Sequence, residues 1–281
     1  MKLINNDIKN VTIRRVETEE ELRAAQRLRY QVFFEEFGAK PSEEMAAQKL
    51  DLDKYDSSAD HLIVISTDPA SSEETIIGTY RMIKQDQAAA QGKFNSDSWY
   101  DLSPLLSSGE TLLELSRSCV LPEYRTRPVL QLLWGGIADY ITEHNIGVMF
   151  GCASFHTVNI EEIAEPLSYL YHHHLSPSGL RVRARDDLFM DMNILPKSEI
   201  NPRKVFHNLP PLMKGYLRVG STIGDGAVID EQFGTVDVFI TMQTHMLTQR
   251  YRKHYERKVD KEIPGGSSSA HKAADILAED I

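Results

Sequence analysis

Glu114, Ser116 and Arg117 stand in the run LELSRSCV (113–120), three groups that handle protons or charge among otherwise apolar neighbours. In a strand, period two puts Glu114, Ser116 and Ser118 on one face and Leu113, Leu115, Arg117 and Cys119 on the other. Charges inside a central strand are costly unless paired. Each therefore either meets a structural ion-pair partner or does chemistry, Glu114 taking a proton from an attacking amine while Arg117 fixes a carboxylate. Arg81, in the β-rich run GTYR (78–81), is a second charge of this kind.

Asp51, Asp53, Asp56 and Asp60 crowd the stretch KLDLDKYDSSADH (49–61). Such a loop suits a hard cation, but it lacks the turn glycine and distal glutamate of the common calcium loop. A solvated acidic face and recognition of an ammonium group by charge-assisted hydrogen bonds both remain open. Arg125 and Arg127 fall between the Glu114 strand and a helix, where a helix N-terminus favours phosphate, although no Gly-rich phosphate loop is present. The basic run RVRAR (181–185) reads either as a solvated strand edge or as a docking patch for an acidic partner. His172, His173 and His174 project about 100° apart on a helix and cannot share one ion, so capping or surface roles are expected.

These residues need elements to hold them. A short strand around Thr12 to Val16 leads to Thr18-Glu-Glu-Glu21, a capping box that opens a helix with Leu22, Ala25, Leu28, Val32 and Phe33 at helical spacing. HLIVIS (61–66) and TIIGTYRMI (75–83), separated by turn formers, predict an antiparallel hairpin. A strand over 111–121, a helix over 127–145 and a strand over 146–153 predict a parallel crossover. A helix over 158–174, a short strand at 180–184 and a strand over 235–242 follow. Residues 186–231, broken by prolines and glycines, read as an irregular insertion. The fold class is thus α/β with a mixed sheet, antiparallel in its first half, in one domain over 1–258 with a flexible Gly/Ser-rich tail at 259–281.

The 281 residues are 41% hydrophobic and 26% charged, with 31 Lys and Arg against 41 Asp and Glu for a net charge of -10. That excess of acid repels a phosphate backbone, so no nucleic-acid partner is expected. The longest apolar stretch, 129–141, is interrupted by Asp139 and falls short of the roughly 20 residues of a membrane span. No secretory signal is visible, and a cytoplasmic location is expected. Cys119 and Cys152 sit in apolar runs, read as buried free thiols, and are too few for a disulfide framework or a zinc site. The basic helix over 248–258 is read as solvated, with a peripheral contact to the anionic inner membrane as the other reading.

Taken together and in order, GTYRMI, LELSRSCVLPEYR, LLWGGIADYI, MFGCASF and SYLYHHHL resemble the bacterial ornithine lipid N-acyltransferase family, GNAT-superfamily enzymes close to the acyl-homoserine-lactone synthases. The resemblance runs from about Arg14 to Ala184 and continues through 210–230 and 235–242. It implies a GNAT-like fold with splayed central strands, and transfer of a 3-hydroxy fatty acyl group from acyl carrier protein to the α-amine of ornithine. It also implies Glu114 and Arg117 as catalytic, and Arg29, Phe33, Asp51, Asp53, Asp56 and Arg81 as substrate-binding. Cys119, Val120, Arg125 and Arg127 would meet the phosphopantetheine of the carrier; no metal and no tightly bound cofactor are implied. Neither Trp99 nor Trp134 lies just after the first helix, where lactone synthases usually carry a tryptophan, which counts against a lactone product. Two further readings stay open: the same fold with another amine acceptor, and a non-catalytic module that binds acyl carrier protein.

Overall fold

The Thr18 hydroxyl accepts from the Glu21 amide at 3.2 Å, and the Glu21 carboxylate accepts from the Thr18 amide at 3.3 Å. This reciprocal cap starts α1, Glu19–Tyr30, after the strand β1, Val11–Arg15. The computed structural model describes residues 10–245. The basic helix at 248–258 and the tail at 259–281 lie outside the described residues.

A π-helical stretch, Gln31–Glu36, extends α1 and delivers Phe33 and Glu36. The short α2, Glu43–Gln48, precedes the acidic loop. β2, Asp60–Thr67, and β3, Glu74–Lys84, form the expected hairpin. The helix α3, Gln85–Ala90, the two-residue strand β4, Tyr100–Asp101, and α4, Ser103–Leu106, fill the connection to β5, Leu112–Val120. Then come α5, Arg127–Glu143, β6, Val148–Phe155, and α6, Ala164–His174. The strand expected at 180–184 is only β7, Arg183–Ala184.

Residues 186–231 are not an irregular insertion. They contain α7, Pro202–Asn208, α8, Pro211–Arg218, and β8, Thr222–Asp230, which pairs with β9, Thr235–Gln243. Prolines here open helices at their first turn, where a missing amide costs nothing. Gly226, at φ +83°, lies within an irregular stretch of the β8–β9 register.

The strands follow the order β1-β2-β3-β5-β6-β9-β8-β7-β4. Alternate residues of β2 mark the two faces. Leu62 meets α5 at Gly136, whereas Ile63 and Ile65 meet Ala25 of α1. The larger core lies on the α5 face, with Tyr80, Leu115, Trp134, Met149, Tyr216 and Met242.

β5 and β6 run parallel but pair only from Leu112↔Val148 to Glu114↔Phe150. Beyond that point the two strands part. Gly151 sits at the fork: a Cβ there would lie 2.3 Å from the Leu115 carbonyl oxygen, so only glycine lets the strands approach so closely before they diverge. β6 meanwhile keeps a full ladder with β9 on its other edge. The outcome is a wedge in the middle of the sheet, open along residues 115–120 of β5.

Candidate active site

Three arginines and three aspartates from four elements close into a ring beside this wedge. Arg29 of α1 contacts Asp51 at 2.7 Å and Asp56 at 2.5 Å; Arg81 of β3 contacts Asp53 at 3.0 Å and Asp56 at 3.2 Å; Arg117 of β5 contacts Asp51 and Asp53, both at 3.1 Å. Every aspartate thus touches two arginines and every arginine two aspartates. Charges buried this deeply persist only when paired. Arg29, Arg81 and Asp51 are fully buried, and the ring meets solvent only where Asp53 and Arg117 are 10% and 17% exposed.

The loop that supplies the aspartates is itself pinned. Gln26 donates to Asp56 at 2.9 Å, Arg29 Nη2 donates to the Asp51 carbonyl at 2.7 Å, and His61 Nε2 lies 3.0 Å from the Asp56 carbonyl. Burial alone would raise the Asp56 carboxyl, yet Arg29 and Arg81 overcome it and hold the group down at about 2. Asp53 is lowered in the same way against burial, by Arg81 and Arg117. Burial, then Arg29, pushes His61 down to about 4, so it is neutral.

Arg117 reaches the ring from a left-handed backbone at φ +53°. The period-two reading put Arg117 on the face opposite Ser116, and the structure corrects this. Ser116 accepts from Arg81 Nε at 3.0 Å, while its neighbour Arg117 binds Asp53, which also binds Arg81. Both residues therefore serve one cluster. Ser118, assigned to the face of Glu114, instead lies beside the Tyr80 hydroxyl on the α5 side.

Glu114 lies next to this cluster, fully buried. Its Oε2 accepts from the Asn95 amide at 2.8 Å, and its Oε1 accepts from the Ser96 amide at 2.8 Å and from the Ser96 hydroxyl. Burial raises its pKa against the pull of these donors, the direction a general base requires. Phe33 meets Phe233 edge-on at 5.7 Å, and the Arg117 guanidinium stacks over the Phe233 ring at 4.9 Å. Arg81 Nη2 and the Tyr55 hydroxyl are buried donors without a hydrogen-bond partner among the described residues, as are Arg29 Nη1 and the acceptor Asp51 Oδ1 deeper in the ring.

Cys119 is buried near Arg29 and Asp51, and burial pushes its thiol up to about 12, so it serves as neutral wall rather than nucleophile. Cys152, expected to be buried, is largely but not wholly so, and burial raises its thiol. Val120 pairs with Gly78 and accepts from Arg125 Nε at 3.0 Å. Arg125 also forms a two-pronged pair with Glu36, both contacts 2.6 Å, and lies over the Phe37 ring. Arg127 is the first residue of α5.

The remaining sequence features have ordinary partners. Arg183 pairs with Asp225 at 2.8 Å and Arg185 with Asp97 at 3.5 Å, so that strip is a solvated edge rather than a bare patch. His172 lies 2.9 Å from the Leu195 carbonyl and His174 3.0 Å from the Tyr169 hydroxyl. Among the described residues no group of three or more His, Cys, Asp or Glu could hold a metal ion, and no helix is long and apolar enough to cross a membrane.

Sequence reasoning missed Asn95, Ser96, Tyr55 and Phe233, which come from loops and turns with no motif of their own. Gly151 was the one with a signal, a glycine inside a strand pattern.

A cavity opens at the fork, lined by Leu115, Gly151, Cys152, Tyr216, Ile240 and Met242 together with Met149 and Phe150. The wedge therefore joins two environments, a charged cluster on one face of the sheet and an apolar cavity reaching the other.

Residues 28–135 match the family model described as an acetyltransferase (GNAT) domain. The chain is 41% identical over 249 residues to an L-ornithine N(alpha)-acyltransferase of Rhodobacter capsulatus, covering 88% of this chain and 95% of that protein. It is 43% identical over 251 residues to one from Rhizobium meliloti, covering 88% of this chain and 85% of that one. Among solved structures, FeeM, an N-acyl amino acid synthase from uncultured soil microbes, is 13% identical with a TM-score of 0.48, covering 85% of this chain and 93% of that chain.

Proposed function

The chain belongs to the L-ornithine N(alpha)-acyltransferase family, and on that premise we propose that it transfers a 3-hydroxy fatty acyl group from acyl carrier protein to the α-amine of ornithine. The relatives at 41% and 43% identity over 88% of the chain carry this reading. The donor is the thioester on the phosphopantetheine arm of the carrier, and no tightly bound cofactor takes part.

The arm enters the wedge past Cys119 and Val120, and Arg125 meets its phosphate; the Arg127 side chain lies outside the described structure. The thioester then lies at the fork, with its chain in the cavity. Ornithine lies on the ring side, where Arg81 Nη2 and the Tyr55 hydroxyl are donors free to receive its carboxylate. The aspartates are already held between arginines, so the ring as a whole is neutral. Asp53, on its exposed side, is the member placed to meet the second ammonium.

An α-amine with a pKa near 8 needs modest help to lose its proton. Glu114 takes it, directly or through water. The free amine attacks the thioester carbon, amide N–H groups along the unpaired edge of β5 hold the developing oxyanion, and on its collapse the carrier thiolate leaves, taking up the second proton that the nitrogen loses in becoming an amide.

The test is free-thiol release from 3-hydroxyacyl carrier protein across a panel of amino acids, with mass spectrometry of the lipid product. Release that requires ornithine and yields its amide supports the reading. Release with another amine moves the acceptor, and carrier binding without release under any acceptor overturns catalysis.

A further inference from the structure

The two oxygens of Glu114 are not held alike. Oε2 accepts from the Asn95 amide at 2.8 Å, while Oε1 accepts from the Ser96 amide at 2.8 Å and also from the Ser96 hydroxyl. Each carboxylate oxygen offers two lone pairs. Oε1 is therefore filled, and Oε2 keeps one lone pair open. The turn that supplies these donors is braced from both flanks. Phe94 meets Phe150, the register partner of Glu114 on β6, edge-on at 5.0 Å, and Arg185 donates to the Asp97 carbonyl at 2.9 Å. Ser96 is 2% exposed, too deep for its hydroxyl to serve solvation, and that hydroxyl lies 4.0 Å from Cys152 Sγ, part of the wall of the cavity at the fork.

We infer that Ser96 is the positioning residue of the base, its amide and hydroxyl filling Oε1 so that Oε2 is the oxygen that takes the proton of the amine. The amide would be present with any residue at 96, so the hydroxyl is what serine contributes. It also favours the ionised carboxylate, working against the burial that raises Glu114. A protonated carboxyl is no base, so this opposition decides at what pH the site can work. The other ionisable groups facing Glu114 are Arg81 of β3, the Tyr55 phenol of the acidic loop and the Cys152 thiol of β6. Burial pushes Tyr55 up to about 12 and raises Cys152 as well, so of these three only Arg81 is charged. The inference rests on the acyl-transfer reading and adds to it a residue that sets the base.

The experiment measures kcat against pH for thiol release from 3-hydroxyacyl carrier protein with ornithine, for the native chain, Ser96→Ala and Ser96→Thr. The ornithine amine titrates identically in all three, so a difference between them belongs to the protein. Losing a hydrogen bond to a charged group should move the acid limb of Ser96→Ala up by about one pH unit or more, with the rate recovering at alkaline pH. Ser96→Thr, which keeps the hydroxyl, should restore the native limb. A uniform loss at every pH, or an equal displacement in Ser96→Thr, reduces Ser96 to packing and overturns the inference. Ser96→Cys, kept reduced, carries a weaker donor and should show a smaller displacement, which makes the same test if Ser96→Ala does not fold. Titration of the Glu114 carboxyl by carbon NMR, its signal identified by its loss in Glu114→Gln, reads the displacement without turnover. An unmoved titration overturns the inference, whereas a displaced one upholds it even if ornithine proves to be the wrong amine.

Discussion

Arg117 Nε donates to Asp51 Oδ2 at 3.1 Å, joining residues 66 apart in sequence from a backbone held at φ +53°. This bond closes the ring, because Asp51 is also the partner of Arg29 at 2.7 Å. Removing one member of a buried ion pair leaves the other charged and unpaired. Asp51→Asn should therefore destabilise the protein by about 3 kcal/mol or more in chemical denaturation. A loss well under 1 kcal/mol would show that the ring is not what holds the acidic loop.

Asp53 occupies the exposed side of the same ring. Asp53→Asn should cost less stability than Asp51→Asn and raise KM for ornithine about ten-fold or more through the lost charge-assisted contact. KM for a neutral amino acid, if one is accepted, should hardly move. Parallel changes in both would remove Asp53 from ammonium recognition.

Glu114 accepts three hydrogen bonds from Asn95 and Ser96. Glu114→Gln turns one acceptor into a donor facing those amides, and also removes the base. Loss of a general base lowers kcat by about 100-fold or more, and the remaining rate should rise with pH as more of the ornithine amine is already free. Full activity in Glu114→Gln would exclude Glu114 as the base.

His61 is neutral in the fold because burial and Arg29 press its pKa to about 4, from 6.5 when unfolded. Its folded value is the lower one, so its stabilisation is complete above about 6.5 and is lost as the pH falls toward 4, where only the unfolded chain takes up the proton. Between pH 7 and 4.5 this amounts to about 2 kcal/mol. Asp56, held at about 2, adds its own loss only below about 4. Unfolding measured against pH should show the first slope, and His61→Gln should flatten it.

Arg125 and Glu36 pair at the mouth of the wedge while 37% and 30% exposed. Arg125→Ala should raise KM for the acyl carrier several-fold at low salt, and the difference should shrink as salt screens the contact. Glu36→Gln, which frees the guanidinium, should lower it. A carrier KM indifferent to both changes would move the docking site elsewhere.

Periodicity and turn chemistry are local, so the capping box at Thr18, the hairpin of β2 and β3 and the crossover from β5 through α5 to β6 were legible in the sequence. Residue types also marked five of the six charged members of the ring, because charges inside β runs and aspartates crowded in one loop are conspicuous; Arg29, on a helix, came only from the family resemblance. That they close on one another was not legible. It depends on four elements brought together by packing, and on one left-handed residue, Arg117, that breaks the alternation a strand predicts. The same limit hid β8 behind prolines and glycines and left the Asn95 and Ser96 amides unsuspected. Sequence alone determined the elements and the charges they carry. Only the tertiary structure decided which charges neutralise each other, and that the splay implied by the family resemblance begins at Gly151, because both depend on contacts between residues distant in the chain.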